Sequence, residues 1–287
     1  MGFQPLRAVA ARETCRRLKP AGKTARVLFG TSEDVPCYKQ LMRCLLIIFK
    51  RNTEMSEFRQ NSTIILAHGA WADGSCWSNI ILPLQQRGLH VICAPIPLTS
   101  LSDDTVALSR ALERTRGPVV LVGHAYSGAV IATVQEDRVK SLVYIAGLAS
   151  DEGETVATVF YRDPPHPQQP KLVPDSNGFI WMPDDGFRRA VAHKASADQI
   201  SIATAVQRPI AIACIQESVP APTWKMKPSW YLLAEEDRMI NPTTQRFMAD
   251  RMGAKIHSCA VDHSPMYTEP NLVIDVILEA GRETLRS

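Results

Sequence analysis

A regular alternation of short apolar strands with helices, starting at residue 62, is the strongest constraint on the fold. The predicted strands in its first half are unbroken apolar runs that end at turn residues: Ser62–Ala67, His90–Ala94, Pro118–Val122 and Val139–Ile145. Between them, helical spacing and capping residues predict helices over Ser75–Gln86, from an N-cap at Ser102 to Arg116, and over Ala129–Val134. Strands without polar alternation are typical of parallel βαβ units that are covered on both faces. We therefore predict an α/β fold with a doubly wound, mostly parallel sheet.

The alternation stops at about residue 151 and resumes after residue 227. Proline clusters and scattered aromatic residues mark the interrupting segment, which we interpret as an inserted cap over one edge of the sheet, partly helical over Asp185–Val206. An ordinary long excursion with its own small core would have the same composition. The regular elements that follow are Ser229–Ala234 (strand), Thr243–Met252 (helix), Lys255–Ala260 (strand) and Pro270–Leu285 (helix).

The first 54 residues differ from the rest of the chain in charge. They contain eleven Lys and Arg against four Asp and Glu, a net of +7, whereas residues 55–287 contain 21 against 25, a net of −4. We predict a poorly ordered basic extension over residues 1–54, followed by a single domain over residues 55–287. A polyanion-binding arm, a transit peptide and a true start at Met55 are the other interpretations. The overall charge of +3 is too small to argue for nucleic acid.

Cysteine usage and motif content exclude several classes of site. The seven cysteines are odd in number and form no C-x-x-C pair, which argues against a disulfide framework or a zinc site. We predict a reducing, cytoplasmic location, no membrane association and no cofactor or metal, since the sequence has neither a phosphate-binding glycine loop nor a ligand cluster. The expected partner is a small molecule, and the sequence leaves the oligomeric state open.

Four loops that follow predicted strands contain residues that are candidates for catalysis. They are His68-Gly69-Ala70-Trp71, Gly123–Gly128, Glu235-Glu236-Asp237, and the loop at His263. The carboxyl ends of parallel strands meet at one edge of a sheet, where ligands bind in such folds. We therefore expect these loops to lie together.

In order and spacing these loops resemble the α/β-hydrolase superfamily over about residues 60–285. The HGAW opening is similar to the branch of plant methylesterases, hydroxynitrile lyases and small bacterial hydrolases. The resemblance implies that Asp237 and His263 are the acid and base of a triad. It also implies an oxyanion hole formed by the backbone N–H groups of Ala70, or alternatively Trp71, and of Tyr126.

One departure from the family pattern concerns the nucleophile. The family elbow is G-x-S-x-G, and the same frame here is Gly123-His124-Ala125-Tyr126-Ser127, which places Ala125 at the nucleophile position. A methyl group cannot attack a carbonyl. Ser127 is an alternative nucleophile, but helix geometry points it about 160–200° away from residue 125. A serine in a first helical turn usually bonds to backbone.

The Asp237–His263 pair can work without a serine, because the imidazole can take a proton directly from a substrate. Other nearby groups have simpler interpretations. His68 and His124 belong to HG and GH dipeptides, whose histidines more often have a structural role than a catalytic one. Three nearby acids are expected to be solvated: Glu235, Glu236 and Asp262. Four aromatic residues are candidates for an apolar pocket under the cap, although they could equally form the core of the cap: Trp71, Phe160, Trp181 and Trp224.

These observations favour an enzyme that acts on a small, largely apolar ester or carbonyl compound with an Asp–His dyad and an oxyanion hole. Three alternatives stay open. One is hydrolysis through Ser127 or through water activated by His263. The second is a non-catalytic ligand-binding protein, and the third is an esterase whose elbow serine was deliberately replaced by Ala125.

Overall fold

Six parallel strands form the central sheet of the protein, in the order β2-β1-β3-β4-β7-β8. The computed structural model describes residues 58–286, so the predictions for residues 1–54 and for Met55 lie outside the described residues. The strands of this sheet are β1 (Thr63–Ala67), β2 (His90–Ala94), β3 (Val119–His124), β4 (Val139–Ile145), β7 (Ser229–Ala234) and β8 (Lys255–Cys259). Each lies within two residues of its predicted bounds.

Both faces of the sheet are covered by helices. Alternate side chains of a strand point to opposite faces, so Ile65 and Leu121 belong to one apolar cluster, while Ile64 and Val120 belong to another. All four are fully buried. Burial on both faces is the reason that these strands are unbroken apolar runs, and it confirms the predicted doubly wound α/β class.

All five helices predicted outside the inserted segment are present with shifted ends, and the described residues contain one more α-helix there, the short helix Pro265–Thr268. Their bounds are α1 (Ser78–Gln85), α2 (Leu101–Glu113), α3 (Ser127–Ala132), α4 (Val156–Phe160), α5 (Ala197–Ala205), α6 (Ile212–Gln216), α7 (Pro242–Arg251), α8 (Pro265–Thr268) and α9 (Pro270–Thr284). The N-cap of α2 is Ser100, not Ser102, because the Ser100 hydroxyl accepts the Asp103 N–H. Starting the helix at residue 101 also buries Leu101 in the core.

The segment between β4 and β7 contains short elements of its own. Two-residue strands, β5 (Phe179–Ile180) and β6 (Ile210–Ala211), pair antiparallel. The helix predicted over Asp185–Val206 is divided into a π-helical turn at Phe187–Val191 and α5. The π-helical turn ends at Ala192, whose backbone leaves the helical region.

The order of the strands creates a crevice at the carboxyl edge of the sheet. From β1 the chain passes to β2 on one side and then to β3 on the other, so β1 and β3 flank a topological switch point, where ligands bind in such folds. The loops after β1 and β3 contain Trp71 (φ 57°) and Ala125 (φ 47°), two non-glycine residues in the left-handed region.

No helix within residues 58–286 is long and apolar enough to cross a membrane.

Candidate active site

The sharp turn between β3 and α3 is centred on Ala125. Its φ of 47° is a conformation that costs a non-glycine residue about 1–3 kcal/mol and persists only where the surroundings enforce it. The Ala125 N–H donates to the Ile145 carbonyl (3.2 Å), and the Ala125 carbonyl accepts from the amides of Gly128 (3.0 Å) and Leu148 (2.9 Å). The structure thus places a methyl group at the tip of a strained elbow.

Ser127 lies in the first turn of α3 and is fully buried. Its hydroxyl donates to the carbonyl of His68. That bond joins the helix to the loop after β1. The structure does not bring Ser127 to the wall of the pocket that contains Ala125 and His263.

The loop after β1 packs directly against the elbow at Gly69. A Cβ atom at this position would lie 2.9 Å from His124 Nδ1 and 3.0 Å from Ala125 Cβ, so only glycine permits the approach. Ala70 follows at the pocket wall, and Tyr126 is also there. Among the residues that the structure describes, neither the Ala70 nor the Tyr126 amide donates to a protein acceptor. Two free N–H groups next to one pocket are what an oxyanion hole requires.

Asp237 and His263 are hydrogen-bonded to each other. Nδ1 of His263 lies 2.7 Å from Oδ2 of Asp237, and the side chains are 5% and 0% exposed. Asp237 Oδ1 accepts the amides of Met239 (2.7 Å) and Ile240 (2.9 Å), and Oδ2 also accepts Gln245 Nε2 (2.8 Å). A carboxylate held by N–H donors assigns the proton of His263 to Nδ1, which leaves Nε2 as the basic nitrogen.

Gln245 is a supporting residue that the sequence did not reveal. It extends from α7, donates to Asp237 and the Ile240 carbonyl, and accepts the Ala234 N–H at 3.1 Å. Its side chain therefore connects the end of β7 to the acid loop. An isolated glutamine in a polar helix has no spacing signal that would distinguish it from a solvated residue.

His124, at the end of β3, packs against the His263 loop. Its Nε2–H donates to the His263 carbonyl at 2.8 Å, and the two ring centroids are 4.9 Å apart. Burial, together with the nearby His263, lowers the pKa of His124 to about 3, so its ring stays neutral. Burial also lowers the pKa of His68. The expectation that both histidines pack structurally agrees with these contacts.

The Tyr126 side chain is anchored at its far end. Its hydroxyl donates to Oδ2 of Asp104 at 2.6 Å, and the other oxygen of Asp104 accepts the Leu98 N–H at 2.7 Å. Asp104 is fully buried, and burial raises its pKa. In the sequence this residue lies two positions after the predicted N-cap Ser102, and nothing there distinguishes it from a solvated acid.

A pocket lies between these loops and the segment between β4 and β7. It contains about 840 Å³ of space between atoms, including the part open to solvent. Trp71 and Phe160 line it, together with aliphatic residues such as Leu148 and Ile180. The Trp71 indole N–H donates to the Ile180 carbonyl at 2.9 Å, which joins the loop after β1 to β5.

Two predicted lining residues lie elsewhere. The Trp181 residue is 51% exposed and does not reach the pocket. Trp224 is buried, but its indole N–H donates to the Ser150 carbonyl (3.2 Å), away from the lining. Side chains alternate about an extended strand, so when Ile180 faces inward its neighbour faces solvent.

The acids next to the dyad divide into two kinds. Glu235 and Glu236 are exposed, as expected. Asp262 is fully buried, so the prediction that it is solvated was wrong. It is surrounded by hydrogen-bond donors from two segments, which the linear sequence does not place together. Within the described residues, no group of three His, Cys, Asp or Glu side chains could hold a metal ion.

A parallel sheet of this order, with an elbow after β3, an acid after β7 and a histidine after β8, defines the fold of the α/β hydrolases. The chain belongs to the Alpha/beta hydrolase family, whose model matches residues 64–276. This membership, with methylesterase-like relatives, confirms the resemblance that the loops indicated.

Individual relatives are distant. The chain is 23% identical to the "Alpha/beta hydrolase nvfD" of Aspergillus novofumigatus over 245 residues, which cover 77% of this chain and 97% of that protein. It is 21% identical to "Methylesterase 2" of Arabidopsis thaliana over 257 residues, 78% of this chain and 97% of that one. The crystal structure of polyneuridine aldehyde esterase superposes with a TM-score of 0.67 at 15% identity, covering 77% of this chain and 99% of that chain. This last similarity is one of fold.

Proposed function

We propose that this protein is an enzyme in which His263, oriented by Asp237, acts as a general base on a small, largely apolar ester or carbonyl compound. The observation that carries the proposal is the 2.7 Å contact between His263 Nδ1 and Asp237 Oδ2 at the wall of an apolar pocket. The amides of Ala70 and Tyr126 would stabilise negative charge that develops on the substrate oxygen. No covalent intermediate forms on residue 125, because alanine has no nucleophilic atom.

The pocket wall supports a neutral substrate. Among its described lining residues there is no lysine, arginine, aspartate or glutamate. A charged ligand would lose its hydration there without gaining a side chain of opposite formal charge, which costs several kcal/mol. Ester-cleaving enzymes among the relatives, a methylesterase and polyneuridine aldehyde esterase, support an ester or a related carbonyl compound.

Hydrolysis through Ser127 has less support. Its hydroxyl is buried and already donates to the His68 carbonyl, so it would have to rotate out of a packed helix to reach a substrate. Water activated by His263 is a simpler route to hydrolysis. Since sites that lack one triad member still accelerate reactions by about 10³–10⁴-fold over water, a weak esterase signal would not identify the natural reaction.

The base is tested with a substrate that needs no nucleophile. In the Kemp elimination of 5-nitrobenzisoxazole, a base removes the C3 proton, the N–O bond breaks and the ring opens to one coloured product, 2-cyano-4-nitrophenolate, which carries the new nitrile. We expect His263→Gln to lower the rate by at least about 10²-fold, the usual contribution of a positioned base. The control is His90→Gln, which removes an exposed histidine at the amino end of β2 and should leave the rate unchanged.

Two other results would decide against the proposal. If the full chain binds the benzisoxazole but His263→Gln turns it over equally fast, the protein is a ligand-binding member of the family. If p-nitrophenyl butyrate is hydrolysed rapidly and Ser127→Ala abolishes this, the protein is an ordinary esterase with a displaced nucleophile.

A further inference from the structure

Each member of the dyad is preceded in the chain by a second carboxylate. Glu236 precedes Asp237, and Asp262 precedes His263. The Glu236 side chain is 45% exposed, whereas Asp262 is fully buried. Burying a carboxylate is costly unless hydrogen bonds replace its hydration, so the contacts of Asp262 must account for its position.

Three donors surround the Asp262 carboxylate. Oδ1 accepts the Ser264 N–H and the Thr268 hydroxyl, both at 3.2 Å, and Oδ2 accepts the Lys194 N–H at 2.9 Å. Ser264 directly follows His263, and Thr268 ends α8. The carboxylate therefore closes the turn that contains His263 and attaches that turn to the segment between β4 and β7.

Lys194 contacts both dyad loops. Its backbone N–H donates to Asp262, and its ammonium group lies 2.8 Å from Glu236 Oε1 and 2.8 Å from the Ala260 carbonyl. The ammonium contacts are exposed, and an exposed ion pair contributes little. The bond from the Lys194 N–H to Asp262 is the strong member of the set, since its acceptor is fully buried and is screened less by water than the exposed ammonium contacts are.

The remaining contacts of His263 show what this arrangement can control. Its ring is held by Asp237 through Nδ1, and its carbonyl accepts from His124. The His263 carbonyl and the Ser264 N–H belong to the same planar peptide group, which His124 holds at its oxygen and Asp262 holds at its N–H. A rotation of this group would move the imidazole relative to both Asp237 and the pocket.

We propose that Asp262 is a positioning residue that holds the His263 imidazole where it can hydrogen-bond to Asp237. Through the bond from Lys194, it also makes this position depend on the segment between β4 and β7. The structural part of this inference is independent of catalysis. Only its consequence for rate rests on the proposed function.

The structural part is tested by NMR of the full chain labelled with ¹⁵N-histidine. Two-bond ¹H–¹⁵N spectra report which ring nitrogen of His263 is protonated, and His263→Gln assigns the signals. We expect a single Nδ1–H tautomer in the parent and a mixture of tautomers in Asp262→Asn, because asparagine has one accepting oxygen and its NH₂ group must then face either the Lys194 or the Ser264 N–H. The matched control is Glu236→Gln, which changes the acid one residue before Asp237 and should leave the His263 spectrum unaltered.

An unchanged His263 spectrum in folded Asp262→Asn would overturn the inference. If that variant does not fold, Thr268→Val removes one donor and keeps the carboxylate. A smaller shift in the same direction then supports the role, and an unchanged spectrum rejects it.

The Kemp elimination provides the kinetic part. Asp262→Asn should lower kcat by up to about 10²-fold with little change in KM, since a misplaced base loses rate and not ligand affinity. Loss of the single tautomer in a chain without His263-dependent turnover would reject the proposed function and leave the positioning role intact. If turnover depends on His263 but the tautomer is unaltered in Asp262→Asn, the positioning role is rejected and the proposed function stands.

Discussion

At the scale of single residues, the proposed site differs from that of a serine hydrolase at Ala125, where the family elbow has a serine hydroxyl. Ala125 has the strained backbone and the neighbours that a nucleophile at this elbow would have, with His263 and the free amides of Ala70 and Tyr126 at the same pocket. The backbone conformation is set by the flanking contacts of the turn, so a serine should fit there. This makes the substitution reversible in principle.

Restoring the oxygen is the first residue-scale prediction. Ala125→Ser should raise the hydrolysis of p-nitrophenyl butyrate by about 10³-fold or more, because removal of a triad serine can cost about 10⁶ in kcat and part of that should return. A burst of p-nitrophenol would report the acyl-enzyme. The gain should vanish in Ala125→Ser combined with His263→Ala, and Ser127→Ala should leave it unaffected. No gain in a folded Ala125→Ser protein would show that the dyad is not aligned with residue 125.

At the scale of elements, the connection from β3 to α3 has no room for side chains on its inner side. A Cβ at Gly123 would lie 2.5 Å from the Ser127 carbonyl oxygen, and one at Gly128 would lie 2.7 Å from the Leu148 carbonyl oxygen. Both obstacles are backbone atoms, which cannot move aside as a flexible side chain can. The helix therefore starts immediately after the strand, and the elbow is sharp.

Gly123→Ala should consequently destabilise the fold by about 1–3 kcal/mol or more, the range for overpacking a tight site. Urea unfolding of the full chain measures the loss. Gly74→Ala is the comparison, because its added methyl would meet the Cys93 side chain at 3.3 Å and not a carbonyl. Equal stabilities for the two variants would mean that the strand–helix connection is looser than its geometry indicates.

At the scale of the whole molecule, buried neutral histidines make stability depend on pH. The pKa of His124 is about 3 in the folded protein, against 6.5 for an ordinary histidine. Between these values the unfolded chain binds a proton that the folded chain does not, so the free energy of unfolding falls as the pH falls. From pH 7 to pH 5 this one group removes about 2 kcal/mol. His68, whose pKa is also lowered, acts in the same direction.

Urea unfolding at pH 7 and pH 5 checks this dependence. The decrease in the free energy of unfolding should be smaller by about 2 kcal/mol in His124→Asn, whatever that variant does to stability at pH 7. His90→Gln should retain the full decrease. An identical pH dependence in His124→Asn would show that this imidazole takes up a proton in the folded state.

The sequence by itself determined the α/β class, the strands of the sheet, and the positions of Ala125, Asp237 and His263 in their loops. Those features depend on local periodicity and on spacing along the chain, which a parallel sheet converts directly into position at one edge. The sequence located the ends of helices less accurately. The N-cap of α2 is Ser100 and not the predicted Ser102, because both serines are residues that favour an N-cap.

Only the tertiary structure decided which other side chains support the site. Asp262 and Asp104 are buried, Gln245 braces Asp237, and Trp181 points away from the pocket. Some partners are distant in the chain, as Lys194 is from Asp262, and others are near, as Asp237 is to Gln245. In either case a polar residue has the same appearance in the sequence whether its partner is water or a buried group. Burial of polar groups is a property of how elements pack together, and local sequence does not record it.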